Sequence, residues 1–305
     1  IEIISRDEPM PLSFAQQRMW FLDQLEPGSA FYNVFFAVGI KGELLEDAFA
    51  YSLNQIIWRH QSLRTSFVTE AGEPSQFIHP HREFGMSVIA IEVADDTARD
   101  AAIQTHGKLF AGMPYDLGSD MLLRAKMLRF SDTDRVLLFS MHHIIADGWS
   151  IGVLLHELSI FYSSYLAGHA ARLDPLALQY VDYSAWQKKW LSGDRLDKQQ
   201  AYWSEALEDL KPLDLPTDRP RPAIQTHRGA VMKHGVSAEL LGRLKRFSQG
   251  QGATLYMTLL TGFKTILSHY ARQDDVAVGT PIANRPRPEL ERLIRFFANT
   301  LVLRT

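Results

Sequence analysis

Residues 140–150 read SMHHIIADGWS, the densest cluster of chemically active side chains in this sequence. The apolar run VLLF at 136–139 precedes it, and an amphipathic run over 151–165 follows it. This order predicts the end of a buried strand, a tight loop and a helix. Because side chains alternate along a strand, His142 and His143 would point to opposite faces and cannot both bind one metal ion. We therefore expect one histidine to face a cavity and the other to pack in the core.

Each residue of this cluster also has a purely structural interpretation. A strand histidine can be a hydrogen-bonded core residue, and Asp147 or Ser150 can cap the following helix. Gly148 can supply a positive φ for the turn. These roles are compatible with a role in a functional site, so they do not decide between the two interpretations.

Other chemistries can be tested against the sequence. His156-Glu157 suggests a zinc protease, but Ile160 stands where the second histidine ligand is required. The sequence contains no Gly-x-Gly-x-x-Gly segment and no phosphate-binding loop. We expect no serine or cysteine nucleophile, so a histidine of the cluster would act directly, as a general base or as a positioning group between two bound substrates.

The composition limits the class of protein. A length of 305 residues exceeds what one small core needs, so two lobes are expected. The net charge of −3, without a long block of like charges, favours neither nucleic acid nor a membrane as a partner, and no apolar run is long enough to span a bilayer. The start, IEIISRDE, lacks both an initiator methionine and a signal-peptide layout, so we expect a piece of a longer protein. The absence of cysteine excludes disulfides and thiolate metal sites and suits the cytoplasm.

Helical and strand patterns are mixed along the sequence. Ser13, Ser237 and Thr254 are expected to cap helices, and apolar residues follow the helical period from Leu45 to Trp58. Strands are expected at residues 34–40, 86–91, 121–130, 135–142, 229–236, 276–279 and 301–305, with a hairpin around Ala71-Gly72. This mixture indicates an α/β fold with mixed sheets and flanking helices.

Five segments, in order, resemble the motifs of the condensation domains of non-ribosomal peptide synthetases, within the chloramphenicol acetyltransferase-like superfamily. They are SFAQQRMW at 13–20, RHQSLRTSF at 59–67, MHHIIADGWS at 141–150, YVDYSAWQ at 180–187 and LIRFFANT at 293–300. The third contains the signature His-His-x-x-x-Asp-Gly, and the resemblance covers nearly the whole sequence. Arg295 departs from the family pattern, because glycine is usual at that position. Family domains also continue past residue 305, so the sequence resembles a C-terminally truncated domain.

The resemblance implies two chloramphenicol-acetyltransferase-like lobes with a tunnel between them. The N-terminal lobe would span residues 1–175, and residues 176–305 would form connecting helices and an incomplete C-terminal lobe. The implied reaction is peptide-bond formation between a donor aminoacyl or peptidyl thioester and the amine of an acceptor aminoacyl thioester. Both substrates would be held on the phosphopantetheine of peptidyl carrier proteins, beside an adenylation domain of the same cytoplasmic synthetase. The domain itself would bind no cofactor and no metal.

The same resemblance implies roles for individual residues. His143 would be the catalytic residue in the tunnel, with His142, Asp147 and Gly148 supporting the active-site loop. Asp147 would pair with an arginine of the second motif, either Arg59 or Arg64, with Arg59 preferred, because an unpaired buried carboxylate is costly. The expected tunnel residues are Met141, Trp149, Ser150 and Asn299.

The subtype is indicated by Trp149-Ser150, which follow Asp147-Gly148 in the order of peptide-bond-forming members. The segment is most similar to the subtype that takes an L-configured donor, and heterocyclisation relatives are excluded because they replace the histidines with aspartates. Two alternatives stay open at this point: an epimerisation-type relative, and a non-catalytic or truncated module that only docks carrier proteins. The Arg-Pro segments at 219–222 and 285–288 are either ordinary exposed loops or contacts for acidic carrier proteins.

Overall fold

The computed structural model describes residues 1–70, 72–223 and 229–305. These residues form two compact units. The first contains residues 1–195 and 283–299, and the second contains residues 196–282 and 300–305. The division differs from the predicted boundary after residue 175, because residues 176–195 and the segment 283–299 both belong to the first unit. Within the described ranges, no helix combines the length and apolarity needed to cross a membrane.

Sheets and flanking helices alternate along the protein, which confirms the predicted α/β class. The elements up to residue 190 are β1 (Met10–Pro11), α1 (Phe14–Leu25), β2 (Asn33–Lys41), α2 (Glu46–Arg59), β3 (Thr65–Glu70), β4 (Glu73–Ile78), β5 (Ser87–Ala90), α3 (Asp96–Ala111), β6 (Leu123–Arg129), β7 (Asp134–His142), α4 (Gly148–Leu166) and α5 (Tyr180–Trp190). The later elements are α6 (Asp194–Ala206), α7 (Ala238–Gly250), α8 (Leu255–Ala271), β8 (Ala277–Ile282), α9 (Pro288–Glu291) and β9 (Asn299–Arg304).

Strand β7 lies inside a four-stranded sheet with the order β2-β7-β6-β5. It pairs antiparallel with β2 and β6, whereas β5 and β6 are parallel, so the sheet is mixed. Phe139 and Met141 on one face belong to the main core, which also contains side chains of α2 and α4. Val136 and Leu138 on the other face pack with Phe110 of α3. Because β7 is covered on both faces, its apolar run is nearly continuous, and its last residue, His142, is delivered into the interior.

A smaller antiparallel sheet joins β1, β4 and β3. Strands β3 and β4 form the predicted hairpin, and Gly72 adopts the φ of +86° that favours glycine. Residue 71 of that hairpin lies outside the described residues. In the second unit, α7 packs against α8 and β8 pairs with β9.

Several helices begin where the sequence predicts. Ser13 caps α1 in a capping box with Gln16, and Ser237 and Thr254 cap α7 and α8. Most of the predicted inward face of α2 is buried, namely Ala48, Phe49, Ser52, Leu53, Ile56 and Ile57. Leu45, predicted on the same face, is the N-cap residue and is 48% exposed. The predicted strand at 229–236 is wrong, since these residues form no strand and Val231 and Met232 are 87% and 97% exposed. An apolar run without a partner strand leaves its backbone groups to water.

Candidate active site

His143 lies immediately after β7, in a short 3₁₀ turn over His143–Ile145. Its amide donates to the Tyr32 carbonyl (2.8 Å), and its Nδ1 is 2.7 Å from the Ala146 carbonyl oxygen. Because a carbonyl only accepts, Nδ1 carries a proton, and in the neutral imidazole the lone pair is on Nε2. Within the described part of the protein, Nε2 has no hydrogen-bond partner. The half-buried imidazole also packs edge-on against the Phe296 ring at 4.7 Å.

His142 occupies a different environment, because its side chain is only 1% exposed. It lies near the rings of Tyr32 and Tyr115, and its Nδ1 accepts from the Ile144 amide at 3.2 Å. Burial, with a smaller contribution from His143, lowers the pKa of His142 to about 3, so this imidazole is neutral at physiological pH. The two histidines do separate, but the separation arises because the strand ends at His142 and a 3₁₀ turn redirects His143.

Asp147 is the N-cap of α4 and the centre of a buried ion pair. Its Oδ1 accepts from the Ser150 amide (2.9 Å) and from Arg285 Nη2 (3.0 Å). The side chains of Arg285 and Asp147 are 2% and 3% exposed. Asp147 Oδ2 accepts from the Phe297 amide at 3.1 Å. A buried charge pair is tolerated when further hydrogen bonds satisfy it, and this carboxylate meets that condition.

Residues 293–297 form a loop beside the histidines, and other segments of the first unit hold its backbone. The contacts are Ser62 Oγ to the Ile294 carbonyl (2.6 Å), the Arg295 amide to Ser150 Oγ (2.9 Å), Tyr180 Oη to the Phe296 carbonyl (2.7 Å) and the Phe297 amide to Asp147 Oδ2 (3.1 Å). The second, third and fourth motif segments therefore each form a hydrogen bond with this loop, and the loop itself is part of the fifth segment. The loop carries the Phe296 ring that faces His143.

The family model described as Condensation domain matches residues 7–305. The chain belongs to the condensation domain family. A linear gramicidin synthase from Brevibacillus parabrevis is 46% identical over 303 residues, which is 99% of this condensation domain and 6% of that relative. The condensation domain thus spans a small fraction of that much longer protein.

Solved structures share the fold. A structure of the X-domain with OxyB from teicoplanin biosynthesis has a TM-score of 0.87 and 27% identity, covering 100% of this chain and 66% of that one. The first condensation domain of the calcium-dependent antibiotic synthetase, in complex with a substrate analogue, has a TM-score of 0.81 at 20% identity, covering 98% and 69%. These likenesses confirm the resemblance and the fold that the sequence motifs imply.

The predicted arginine partner of Asp147 was wrong. Arg59 binds Glu157 instead (3.0 Å), and Arg64 donates to the His79 carbonyl. The partner is Arg285, 138 residues from Asp147, in a segment that the sequence suggests is either an ordinary exposed loop or a contact for acidic carrier proteins. The second motif packs beside the helix that Asp147 caps, but only the returning segment 283–299 places a guanidinium at its N-terminus.

The expected tunnel residues fall into two groups. Met141 is fully buried in the core and Ser150 is fully buried against Asp147, so neither is open to a substrate in this structure. Trp149 is 48% exposed, and its Nε1 donates to the Glu291 carbonyl at 2.8 Å. Asn299 is exposed and lines a cavity of about 160 Å³ together with Phe296.

Gly148 does not supply the positive φ that its structural interpretation suggests. It is the first residue of α4 and has no positive φ, and a Cβ placed on it would meet no atom within 4 Å. Gly148 and Gly152 both border a cavity of about 680 Å³ that follows α4, with Trp149 at its edge. The glycines leave the helix backbone bare along this cavity.

The expectation of no serine nucleophile overlooked residues 148–152, whose sequence GWSIG matches the Gly-x-Ser-x-Gly pattern. The structure nevertheless excludes Ser150 from that role. Its Oγ is buried and donates to Asp147 Oδ1 at 2.7 Å, and it accepts from the Arg295 amide. A nucleophilic serine needs an exposed hydroxyl beside a base, and this hydroxyl is enclosed within the N-terminal cap of α4.

Sequence reasoning missed Glu157, a buried carboxylate on α4. Its Oε2 is 2.8 Å from His60 Nε2, and His60 Nδ1 accepts from the Ile294 amide at 3.4 Å, so Nε2 carries the proton. Burial by itself raises the pKa of Glu157, but the contacts with His60 and Arg59 outweigh burial and hold the pKa below its ordinary value. The available signal was an acidic residue on the same helical face as Leu154 and Leu158.

Across the described ranges, no group of three or more His, Cys, Asp or Glu side chains is arranged to hold a metal ion.

Proposed function

We propose that this condensation domain forms peptide bonds between two substrates held as thioesters on carrier proteins. The observation that carries the proposal is the state of His143, whose Nδ1 proton is held by the Ala146 carbonyl at 2.7 Å while Nε2 stays free. A half-buried imidazole with one free nitrogen can take up a proton or orient an amine. The relative named as a linear gramicidin synthase supports the same assignment.

The proposed reaction forms one carbon–nitrogen bond and breaks one carbon–sulfur bond. The amine nitrogen of the acceptor attacks the donor thioester carbon, and the carbon–sulfur bond of the resulting tetrahedral species then breaks. An α-amine has a pKa of about 7.7–8.0, so a useful fraction is neutral and attacks without prior deprotonation. Nε2 of His143 accepts the proton of the new ammonium and then gives it to the departing thiolate, so that the thiolate becomes the thiol and the imidazole returns to its neutral form. Holding the amine near the thioester contributes more than proton transfer in this proposal.

The groups around His143 serve as its support. The capping carboxylate Asp147 and its partner Arg285 hold the start of α4 and the Phe297 amide. They therefore fix both the helix that follows His143 and the 293–297 loop beside it. His142 is neutral and buried, and it packs behind the loop. These residues touch no reacting atom in the proposed reaction.

The finer assignments follow from the family and remain part of the proposal. The substrates would be aminoacyl or peptidyl groups on the phosphopantetheine arms of a donor and an acceptor carrier protein, with an adenylation domain in the same synthetase. The donor would have the L configuration, and the protein would act in the cytoplasm.

A binding module is the second candidate function, and one comparison favours it. The X-domain that shares this fold with a TM-score of 0.87 was solved in complex with OxyB, so a domain of this shape also serves as a protein-binding module in that system. The free Nε2 of His143 favours catalysis over that alternative.

The test is dipeptide formation from two loaded carrier proteins, followed by mass spectrometry of the carrier-bound product. We expect His143→Ala to lower the rate by about 10²-fold or more, because it removes both the orientation of the amine and the uptake of its proton. A higher pH or a more nucleophilic amine should restore only part of the rate, because either change can replace the proton uptake but not the orientation. His169→Ala, at an exposed histidine, is the control and should match the wild type.

Two results would count against the proposal. If the wild-type protein makes no amide with any donor and acceptor pair but still binds carrier proteins, the binding module becomes the better assignment. If His143→Ala keeps the wild-type rate, the histidine has no role in the reaction.

A further inference from the structure

Arg295 is the residue that departs from the family pattern, and its side chain is fully buried. Among the described residues, no carboxylate lies within ion-pair distance of it, and its Nε has no hydrogen-bond partner. Burying an uncompensated charge is costly. A glycine would avoid that cost, so the guanidinium has to contribute something in return.

The guanidinium is held by neutral groups. Nη2 donates to Gln76 Oε1 at 2.8 Å, and Nη1 donates to the Ser62 carbonyl at 3.3 Å. The guanidinium carbon, Cζ, lies 4.6 Å from the centre of the Tyr180 ring and 5.4 Å from the centre of the Phe67 ring. Burial lowers the pKa of Arg295 to about 9, so the group still carries its charge at neutral pH. Aromatic faces and amide oxygens stabilise such a cation without neutralising it.

Gln76 connects Arg295 to a longer chain of hydrogen bonds. Gln76 Oε1 also accepts from Gln16 Nε2 (2.9 Å), and Gln16 Oε1 accepts from the Ser13 amide (2.8 Å). Ser13 Oγ lies 2.7 Å from Tyr180 Oη. Because Tyr180 donates its only hydroxyl hydrogen to the Phe296 carbonyl (2.7 Å), Ser13 Oγ must be the donor to Tyr180.

This chain of bonds closes on itself within the loop where it began. It leaves from the side chain of Arg295 and returns to the carbonyl of Phe296, the next residue. The backbone of Arg295 also bonds Ser150 Oγ through its amide and Arg285 Nη2 through its carbonyl. The peptide between Arg295 and Phe296 is therefore fixed from both sides, and the Phe296 ring is held 4.7 Å from the His143 imidazole.

We propose that Arg295 is a positioning residue for His143, acting through the Gln76–Gln16–Ser13–Tyr180 chain that fixes the Phe296 ring. The proposal rests on the proposed function where it predicts a rate. It makes no use of that function where it predicts the environment of the imidazole. Hydrogen bonds that form one connected network tend to act as a unit, so breaking the network at either end should have related effects.

The experiment uses Arg295→Met, which removes the donors and the charge but keeps most of the volume. The imidazole resonances of labelled His143, identified by their loss in His143→Ala, report the ring current of Phe296. We expect these resonances to shift in Arg295→Met. We also expect kcat for dipeptide formation to fall by roughly tenfold while KM for each carrier substrate stays within about twofold of the wild-type value.

Arg135→Met is the matched control. Arg135 is 6% exposed and also has a buried Nε without a hydrogen-bond partner in the described structure, with Glu46 Oε1 at 3.9 Å, but it lies in β7 outside the hydrogen-bond chain. We expect this variant to lose stability while the His143 resonances and kcat stay unchanged. If Arg295→Met also leaves the His143 resonances and kcat unchanged, Arg295 is merely structural and the proposal is overturned.

Tyr180→Phe keeps the test open if Arg295→Met does not fold. It removes only the hydroxyl that holds the Phe296 carbonyl. The His143 resonances should shift and kcat should fall in this variant, and unchanged resonances would overturn the proposal. If the wild-type protein forms no amide, the proposed function fails, but the resonances of His143 still decide whether Arg295 positions it.

Discussion

Helix α4 carries two buried carboxylates that differ in what they hold. Asp147 lies at the N-terminus, where it caps the helix and pairs with Arg285. Glu157 lies further along the helix and pairs with Arg59 and His60 at the end of α2. One carboxylate joins segments on either side of His143, whereas the other joins two helices of the core.

Asp147 and Glu157 differ in how directly each one holds the 293–297 loop. Asp147 accepts from the Ser150 amide, the Arg285 guanidinium and the Phe297 amide, so its loss would release the helix start and the 293–297 loop together. Glu157 reaches that loop only through His60, at a longer distance of 3.4 Å to the Ile294 amide. We therefore expect the first site to control both stability and rate, and the second to control mainly stability.

Arg285→Met should have the largest effect. It leaves the carboxylate of Asp147 buried without its cation, which costs about 3–5 kcal/mol in comparable buried pairs. We expect urea unfolding to show this loss and dipeptide formation to fall with it. Arg287→Met is the control, because the Arg287 side chain is 44% exposed and its surface pair with Glu289 should contribute little to stability. Equal effects of the two variants would contradict the importance of the buried pair.

Glu157→Gln should have an intermediate effect. Arg59 and His60 lose a charged acceptor, so we expect a loss of about 1.5–3 kcal/mol at pH 7 in urea unfolding. Dipeptide formation by the folded protein should change little, since Glu157 is connected to His143 only indirectly. A loss of rate as large as that of Arg285→Met would show that the two carboxylates do not differ in function.

The stability difference between the wild type and Glu157→Gln should become smaller at low pH. The folded pKa of Glu157 lies below its ordinary value of 4.5, so the unfolded state binds more protons as the pH falls. The stabilisation is complete above the unfolded pKa and disappears as the pH falls through the folded pKa. The stability gap between the wild type and Glu157→Gln should therefore be constant from pH 7 to about 5 and shrink below about pH 4.5.

Gly152→Ala should have the smallest effect, and it tests the helix surface between the two carboxylates. A Cβ at Gly152 would meet no atom within 4 Å, so alanine should stabilise α4 by about 0.5–1 kcal/mol. Gly107→Ala in α3 is the control, because its Cβ would lie 3.2 Å from the Phe35 ring and should cancel that gain. Thermal unfolding of both variants measures the difference, and a destabilised Gly152→Ala would show that this surface is not free.

The elements predicted well are those that local sequence controls. The inward face of α2 and the caps at Ser13, Ser237 and Thr254 depend on residues within one or two helical turns. The predicted strand at 229–236 failed because a strand needs a partner, and within the described residues Val231 and Met232 are left exposed to water. The split of the two histidines was expected from strand alternation, but the actual cause is the 3₁₀ turn that begins at His143.

The sequence by itself determined the family, the α/β class, the caps of several helices and the position of the His-His-x-x-x-Asp-Gly cluster. Only the tertiary structure showed that Arg285 neutralises Asp147, that Glu157 pairs with Arg59 and His60, and that Ser150 and Met141 are buried. The physical reason is distance along the chain: Arg285 is 138 residues from Asp147. Local patterns decide which residues form a helix or strand, whereas the return of segment 283–299 to the first unit decides which charges meet beside His143.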